Sequence, residues 1–224
     1  MYKTETLCEN KSLNITEVFT SVQGETSFTG LPTTFIRLAL CNLRCRWCDT
    51  SYSFSRGKEF TLDALLENVK SDGVRHICIT GGEPLLQKNV YPLMTTLCDL
   101  GYVVSIETGG GMSTEAIDPR VHTILDIKCP GSDMDHKNTW ENLGRLRPHD
   151  EVKFVLSHRE DYLWAKDICE RYDLSTKVHS VLFSPTHDEL PAEDLVGWIL
   201  EDRLPVRLNL QVHKFIWPKT MKGV

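Results

Sequence analysis

Residues 75–84 read Arg-His-Ile-Cys-Ile-Thr-Gly-Gly-Glu-Pro. An apolar, β-rich run ends in two glycines, and a proline then stands at the first position of a helical pattern. Glycine frees the backbone at a turn, and proline suits a helix start, where the first N–H groups have no partner anyway. The stretch reads as a strand that turns sharply into a helix. Outward from it the same alternation repeats. Candidate strands fall at 34–40, 75–80, 103–107, 123–128, 151–156, 177–183 and 206–211, and helical patterns at 61–70, 84–100, 140–146, 160–171 and 192–202. The helix at 61–70 is well marked, with Thr61 as its cap and Leu62, Leu65, Leu66 and Val69 as one apolar face. Such alternation implies an α/β fold of mostly parallel strands joined by crossover helices. Polar and glycine-rich residues recur where these strands end, which is the ligand-binding face of a barrel. Seven strands fall short of a closed eight, so the expectation is a modified, incomplete (β/α) barrel. Without repeats, low-complexity segments or a break in composition, the 224 residues read as one domain.

Hydrophobic residues make up 41% and charged residues 25% of the chain, as in an ordinary globular protein. The net charge of −6 argues against a surface that coats nucleic acid. No apolar run approaches the roughly 20 residues of a membrane span. Neither nucleic acid nor a membrane is therefore expected as a partner. Residues 1–10 carry Glu5 and Glu9 and no apolar stretch, unlike a secretory signal, so a cytoplasmic location is expected.

Of the eight cysteines, Cys78, Cys98 and Cys169 sit in apolar surroundings and read as buried, inert thiols. Cys41, Cys45 and Cys48 differ, because their C-x3-C-x2-C spacing places three thiols together with no fourth Cys or His nearby. Clustered cysteines in a chain without a secretory signal read as metal-binding or redox-active. A structural zinc takes four ligands, so Cys129 or His76 would have to come in from afar. A cuboidal iron–sulfur cluster is usually held by four thiolates; with three, one iron keeps an open position.

This spacing, with Trp47 before the third thiol, resembles the signature of the radical S-adenosylmethionine superfamily. Gly81-Gly82-Glu83, at the end of the next candidate strand, resembles that superfamily's Gly-Gly-Glu turn. The resemblance implies a 4Fe–4S cluster on Cys41, Cys45 and Cys48, with the open iron chelating S-adenosylmethionine. One-electron reduction of the sulfonium then releases a 5′-deoxyadenosyl radical, the chemistry being the cofactor's and the positioning the protein's.

Further stretches narrow the resemblance: Glu17 through Glu25, Phe35-Ile36-Arg37-Leu38, Cys48-Asp49-Thr50, Glu107-Thr108-Gly109-Gly110 and Leu210-Gln211-Val212-His213-Lys214. Together they resemble the 7-carboxy-7-deazaguanine synthase family, from about residue 13 to about residue 217. That family is a lyase acting on 6-carboxy-5,6,7,8-tetrahydropterin, releasing ammonia on the route to queuosine and other deazapurines. The resemblance implies Mg²⁺, a flavodoxin or ferredoxin-type reductant and a homodimer. It implies substrate contacts from Val22, Gln23, Gly24, Glu25, Arg37 and Thr108, and cofactor contacts from Trp47, Cys48, Asp49, Gly81, Gly82, Glu83, Gly110, Asp126, Lys128 and Ser184. Thr50 would bind Mg²⁺. Residues 13–40 would form the substrate segment, 41–50 the cluster loop and 212–224 a C-terminal tail.

The residue types suit these roles. Gln23 and Glu25 match the donors and acceptors of a pterin's aminopyrimidinone edge, and Arg37 can fork onto a carboxylate. The Thr50 hydroxyl is a hard oxygen of the kind Mg²⁺ takes alongside substrate and water. Two departures from the family stand out: Asp126-Ile127-Lys128 where Ser-Pro-Lys is common, and Ser184-Pro185 where Gln-Pro is common. Two other functions share part of the pattern. A glycyl-radical-enzyme activase would use the same cysteine loop and glycine turn, and a zinc or iron–sulfur binding module would use the cysteines alone.

Overall fold

The computed structural model describes residues 11–218 and 221–224. Residues 1–10, with Cys8 and the stretch unlike a secretory signal, and Lys219 and Thr220 of the tail lie outside the described residues. Among the described residues, nine strands form a single sheet: β1 (Ser12–Val22), β2 (Pro32–Leu38), β3 (Lys58–Thr61), β4 (His76–Gly81), β5 (Val103–Thr108), β6 (His122–Ile127), β7 (Glu151–Leu156), β8 (Ser180–Pro185) and β9 (Arg207–Leu208). Their spatial order is β3-β1-β2-β4-β5-β6-β7-β8-β9. All seven expected strands are present, and they run parallel from β2 to β9. The two not foreseen, β1 and β3, add antiparallel at the β2 edge. The sheet is open, an incomplete barrel.

Between the strands run α1 (Leu62–Asp72), α2 (Val90–Asp99), α3 (Arg159–Arg171), α4 (Leu174–Lys177), α5 (Ala192–Asp202) and α6 (His213–Ile216). Thr61 caps α1 as expected, its hydroxyl accepting from the Ala64 N–H at 3.2 Å. Two helical patterns were overestimated. The one at 84–100 splits into a 3-10 turn, Pro84–Leu86, followed by α2, and the one at 140–146 is a 3-10 turn, Trp140–Gly144. The strand expected from 177 starts at Ser180, because α4 takes up the preceding residues. The strand expected over 206–211 shrinks to two residues before the chain turns toward Gly24, whose carbonyl accepts from the Val212 N–H.

Side chains alternate along each parallel strand. Ile77 and Ile79 of β4, Ile106 of β5 and Ile36 of β2 pack against Leu65, Val69, Leu93 and Leu97 of α1 and α2. Val152 and Phe154 of β7 pack with Phe183 of β8 against Tyr162, Ile168 and Leu195 of α3 and α5. Each such side chain contributes about 1.5–3 kcal/mol on full burial. Cys78 and Cys169 are buried as expected, whereas Cys98 is only half-buried, packed at the margin of the core.

The alternate residues face the barrel interior and many are polar, among them His76, Ser105, Glu107, Glu151 and Lys153, with Cys78 and Val155 between them. A register shift between Ile15 and Glu17 of β1 sets which face is which. Leu13 and Ile15 lie in the helix-side core, whereas beyond the bulge Glu17 and Phe19 turn inward. One extra residue in a strand swaps its two faces.

The β1–β2 connection crosses beneath the open barrel. Thr26, in left-handed conformation at φ 70°, donates its N–H to Asn209 Oδ1 at 2.7 Å, beyond β9. Ser27 N–H points to Glu151 at the start of β7, and the Phe28 ring lies 4.4 Å from that of His76 and 5.1 Å from that of His122. Among the described residues no helix is long and apolar enough to cross a membrane.

Candidate active site

A cavity of about 950 Å³ opens at the C-terminal ends of the parallel strands. Arg37 of β2, Thr80 of β4, Glu107 of β5, Asp126 and Lys128 at the end of β6, and Ser184 of β8 line it, as do the three clustered cysteines. It is the face on which a barrel's ligands bind.

The cysteine loop leaves β2 at Leu38 and is braced by the glycine turn. Gly82 N–H donates to Leu38 O at 3.0 Å and Glu83 N–H to Leu40 O at 2.8 Å. A Cβ on Gly82 would sit 1.9 Å from Leu40 O, and Gly81 adopts φ +134°, which only glycine takes up readily. The double glycine thus lets the β4 turn press against the backbone that presents Cys41. Glu83 does not line the cavity. Fully buried, it accepts from Leu85 N–H, Gly109 N–H and the Thr108 hydroxyl at 2.8–3.0 Å, tying the turn to the end of β5. Gly110 also lies outside the cavity, its carbonyl accepting from Thr139 N–H at 2.9 Å.

Cys41, Cys45 and Cys48 are half-buried, and burial pushes all three thiols above their ordinary value. Arg44 fixes the loop by donating to the carbonyls of Cys41 and Leu43 at 2.9 and 2.6 Å. Arg46 donates to Gly131 O at 3.1 Å, forks onto Glu189 at 2.9 and 2.7 Å, and lies over the Trp47 ring. Neither distant candidate for a fourth zinc ligand reaches the loop. Both ring nitrogens of His76 are engaged, by Thr33 at 2.9 Å and Ser105 at 3.1 Å, and Cys129 is buried in the helix-side core. Three thiols on a cavity wall fit a cluster with one open iron.

On the opposite side, Val22, Gln23, Gly24 and Glu25 reach the cavity from the start of the β1–β2 connection. A Cβ on Gly24 would lie 2.1 Å from His213 Nδ1, so α6 packs directly on this backbone. Glu25 Oε2 accepts from Lys153 at 3.0 Å and Oε1 from Gln211 at 2.8 Å. Burial raises the Glu25 pKa, but the Lys153 charge and the Gln211 bond outweigh it and hold the carboxyl below its ordinary value. Arg37 Nε donates to Glu17 at 2.7 Å, and the Tyr52 hydroxyl donates to the same oxygen at 2.9 Å. Asp49 pairs with Lys214 at 2.9 Å and accepts from the Thr50 hydroxyl at 2.9 Å. Burial acts against ionisation there too, yet Lys214 holds Asp49 well below the usual carboxylate range.

At the end of β6, Lys128 is no surface lysine. Its ammonium lies 3.0 Å from Asp126 inside the cavity, and Asn138 clips its backbone on both sides at 2.9 Å. Two buried polar atoms on the cavity wall, Gln23 Nε2 and Asp126 Oδ1, have no hydrogen-bond partner among the described residues. One is a donor and the other an acceptor, as expected of groups that await a ligand. Apart from Glu83 and Gly110, every expected site residue lines this one cavity. Glu17, Tyr52, Lys153, Gln211 and Lys214 were not foreseen as site residues. Glu17, Gln211 and Lys214 lay in recognised stretches, whereas Tyr52 and Lys153 carried no motif.

Comparison with known proteins identifies the family. Residues 36–127 match the Radical SAM superfamily. The 7-carboxy-7-deazaguanine synthase of Koribacter versatilis is 43% identical, covering 95% of this chain and 100% of its own. The same-named protein of Chlorobaculum tepidum is also 43% identical, covering 95% and 97%. In fold, the chain is similar to QueE from Escherichia coli, with a TM-score of 0.76 at 24% identity over 95% of this chain and 100% of that one. Streptococcus suis SuiB shares the fold more loosely, with a TM-score of 0.55 over 75% of this chain and 46% of that one. With identity of that level along the full length of its relatives, the chain belongs to the 7-carboxy-7-deazaguanine synthase family of the radical S-adenosylmethionine superfamily.

Proposed function

We propose that this enzyme converts 6-carboxy-5,6,7,8-tetrahydropterin to 7-carboxy-7-deazaguanine with release of ammonia, for queuosine and related 7-deazapurines. The observation that carries the reading is convergence. One cavity joins three thiols with an open side, the glycine turn that braces them, and Gln23, Glu25 and Arg37 facing them. S-adenosylmethionine on a reduced 4Fe–4S cluster supplies a carbon radical able to abstract hydrogen. The chain's own residues hold the substrate in reach of it. Arg37, its Nε spent on Glu17, turns its remaining donors to the pterin carboxylate. Gln23 Nε2, unpartnered while its Oε1 accepts from the Glu25 N–H, donates to the pterin carbonyl, and the Glu25 carboxylate accepts from the pterin's N–H groups. Lys128, Asp126, Ser184 and Trp47, which line the cavity, would hold S-adenosylmethionine. The Thr50 hydroxyl, which donates to Asp49, would hold Mg²⁺, a hard cation that would help orient the substrate carboxylate.

We take the protein to be a cytoplasmic homodimer reduced by a flavodoxin or ferredoxin-type protein. An activase that acts on a protein glycine has no use for the Gln23–Glu25–Arg37 wall. Anaerobic incubation of the reduced protein with S-adenosylmethionine and carboxytetrahydropterin should yield 7-carboxy-7-deazaguanine by mass. Unchanged pterin alongside continued cleavage of S-adenosylmethionine would sink the substrate assignment. Cys45→Ala should lose both the brown colour and the iron, and a full iron complement in that variant would sink the cluster assignment.

A further inference from the structure

Lys153 sits mid-strand in β7, facing the barrel interior, and no motif marks it. Its ammonium lies 3.0 Å from Glu25 Oε2 and 3.7 Å from Asp126 Oδ2, and Lys128 reaches the same Asp126 oxygen at 3.0 Å. The four side chains form a row of alternating charge, Lys128–Asp126–Lys153–Glu25, across the wall of the cavity from its cofactor side to its substrate side. We infer that Lys153 is a positioning residue that fixes Glu25 as a hydrogen-bond acceptor for the substrate, bridging it to Asp126. This rests on the pterin reading above.

The neighbours of Glu25 make the role specific. Its other close partners, Gln211 at 2.8 Å and Asn209 at 3.4 Å, are neutral amides. Asp49 on the cluster loop repels it, and His213 of α6 stands near with its own pKa lowered by burial. On the far side of Lys153 lie Asp126 of the adjoining β6 and Glu107 of β5, one strand further. Burial and Asp49 both favour a protonated Glu25, and the contact with Lys153 reverses them. A protonated Glu25 offers one acceptor fewer and sets an O–H against the pterin's N–H groups. A buried mismatch of that kind costs much of the bond's worth.

The test is equilibrium binding of 6-carboxypterin, an oxidised analogue that is not turned over, to anaerobic cluster-loaded protein, followed by the analogue's fluorescence. Wild-type affinity should stay flat from about pH 7.5 to about pH 5.5, because Glu25 remains ionised throughout. In Lys153→Met the affinity should fall with acid, by about tenfold per pH unit below the new Glu25 pKa. Lys153→Arg should restore a flat profile. Lys153→Met/Glu25→Gln should bind weakly but without pH dependence, since the titrating group is gone. A flat profile in Lys153→Met would overturn the inference. So would a slope that survives in the double variant, which would assign the titration to Asp126, Glu107 or His213. Wild-type protein that failed to bind the analogue would instead overturn the pterin reading and this role with it.

Discussion

Single atoms decide what the cavity recognises, and two side chains illustrate it. Arg37 is held by Glu17 and backed by the Phe19 ring 5.7 Å away, so its orientation is set before substrate arrives. Arg37→Ala should weaken pterin binding by roughly 1.5–3 kcal/mol, the worth of a charge-assisted pair shielded from water. Cleavage of S-adenosylmethionine without substrate should persist; its loss with the cluster intact would move Arg37 to the cofactor side. Thr50 presents a different contrast. Its hydroxyl donates to Asp49 at 2.9 Å, as a purely structural Thr also would. Thr50→Ser keeps the oxygen and should keep the Mg²⁺ response, while Thr50→Val keeps the shape and should lose it. If Mg²⁺ orients the pterin, a displacement of about 1 Å costs on the order of 10²-fold in turnover. A normal Mg²⁺ response in Thr50→Val would remove the residue from the metal site.

At the scale of elements, the β4 turn and the cysteine loop act as one unit. Gly82→Ala would drive a methyl to 1.9 Å from Leu40 O, a contact that cannot be kept, and to 3.1 Å from Cys41 Cβ, which is tight. The variant should lose roughly 1–3 kcal/mol of stability, and its iron content should fall with it. Gly144→Ala, with open space around the added methyl, should change neither, and iron analysis of the two proteins makes the comparison. The same scale explains what could be read beforehand. The parallel strands alternate apolar and polar residues, and that pattern survives in the sequence whether the polar face meets water or a barrel interior. Strands were therefore legible, but the side on which Lys153 and Glu107 lie was not. β1 escaped notice because its bulge breaks the alternation between Ile15 and Glu17, and β3 because four residues at an edge make too short a run. Within the stretches that resemble the family most site residues were legible, but Glu17, Gln211 and Lys214, which act by pairing with Arg37, Glu25 and Asp49, were not, and Tyr52 and Lys153, set by the fold alone, carried no signal.

On the scale of the whole molecule, acid should loosen the protein through the floor of its barrel. His76 is buried between Thr33 and Ser105, and burial, with His122 nearby, lowers its pKa to about 4. Between pH 6.5 and about 4 the unfolded chain takes up a proton here that the native protein refuses. Stability therefore falls as pH drops through that window, by on the order of 3 kcal/mol at most. Urea unfolding of wild-type and His76→Gln protein at several pH values should show a shallower acid slope in the variant; equal slopes would acquit the histidine. The segment that lies against His76 has a further consequence. Residues 23–31 bring Gln23 and Glu25 to the cavity while Thr26 and Gly24 fasten the β1–β2 connection to the chain beyond β9 through Asn209 and Val212. The proposed pterin-reading wall is also the clasp. A bound pterin should thus slow amide exchange at Thr26 and Val212, whose N–H groups lie just behind Glu25 and Gly24, and a chain drifting toward a bulkier substrate would have to relax the joint that ties its β1–β2 connection to the chain beyond β9.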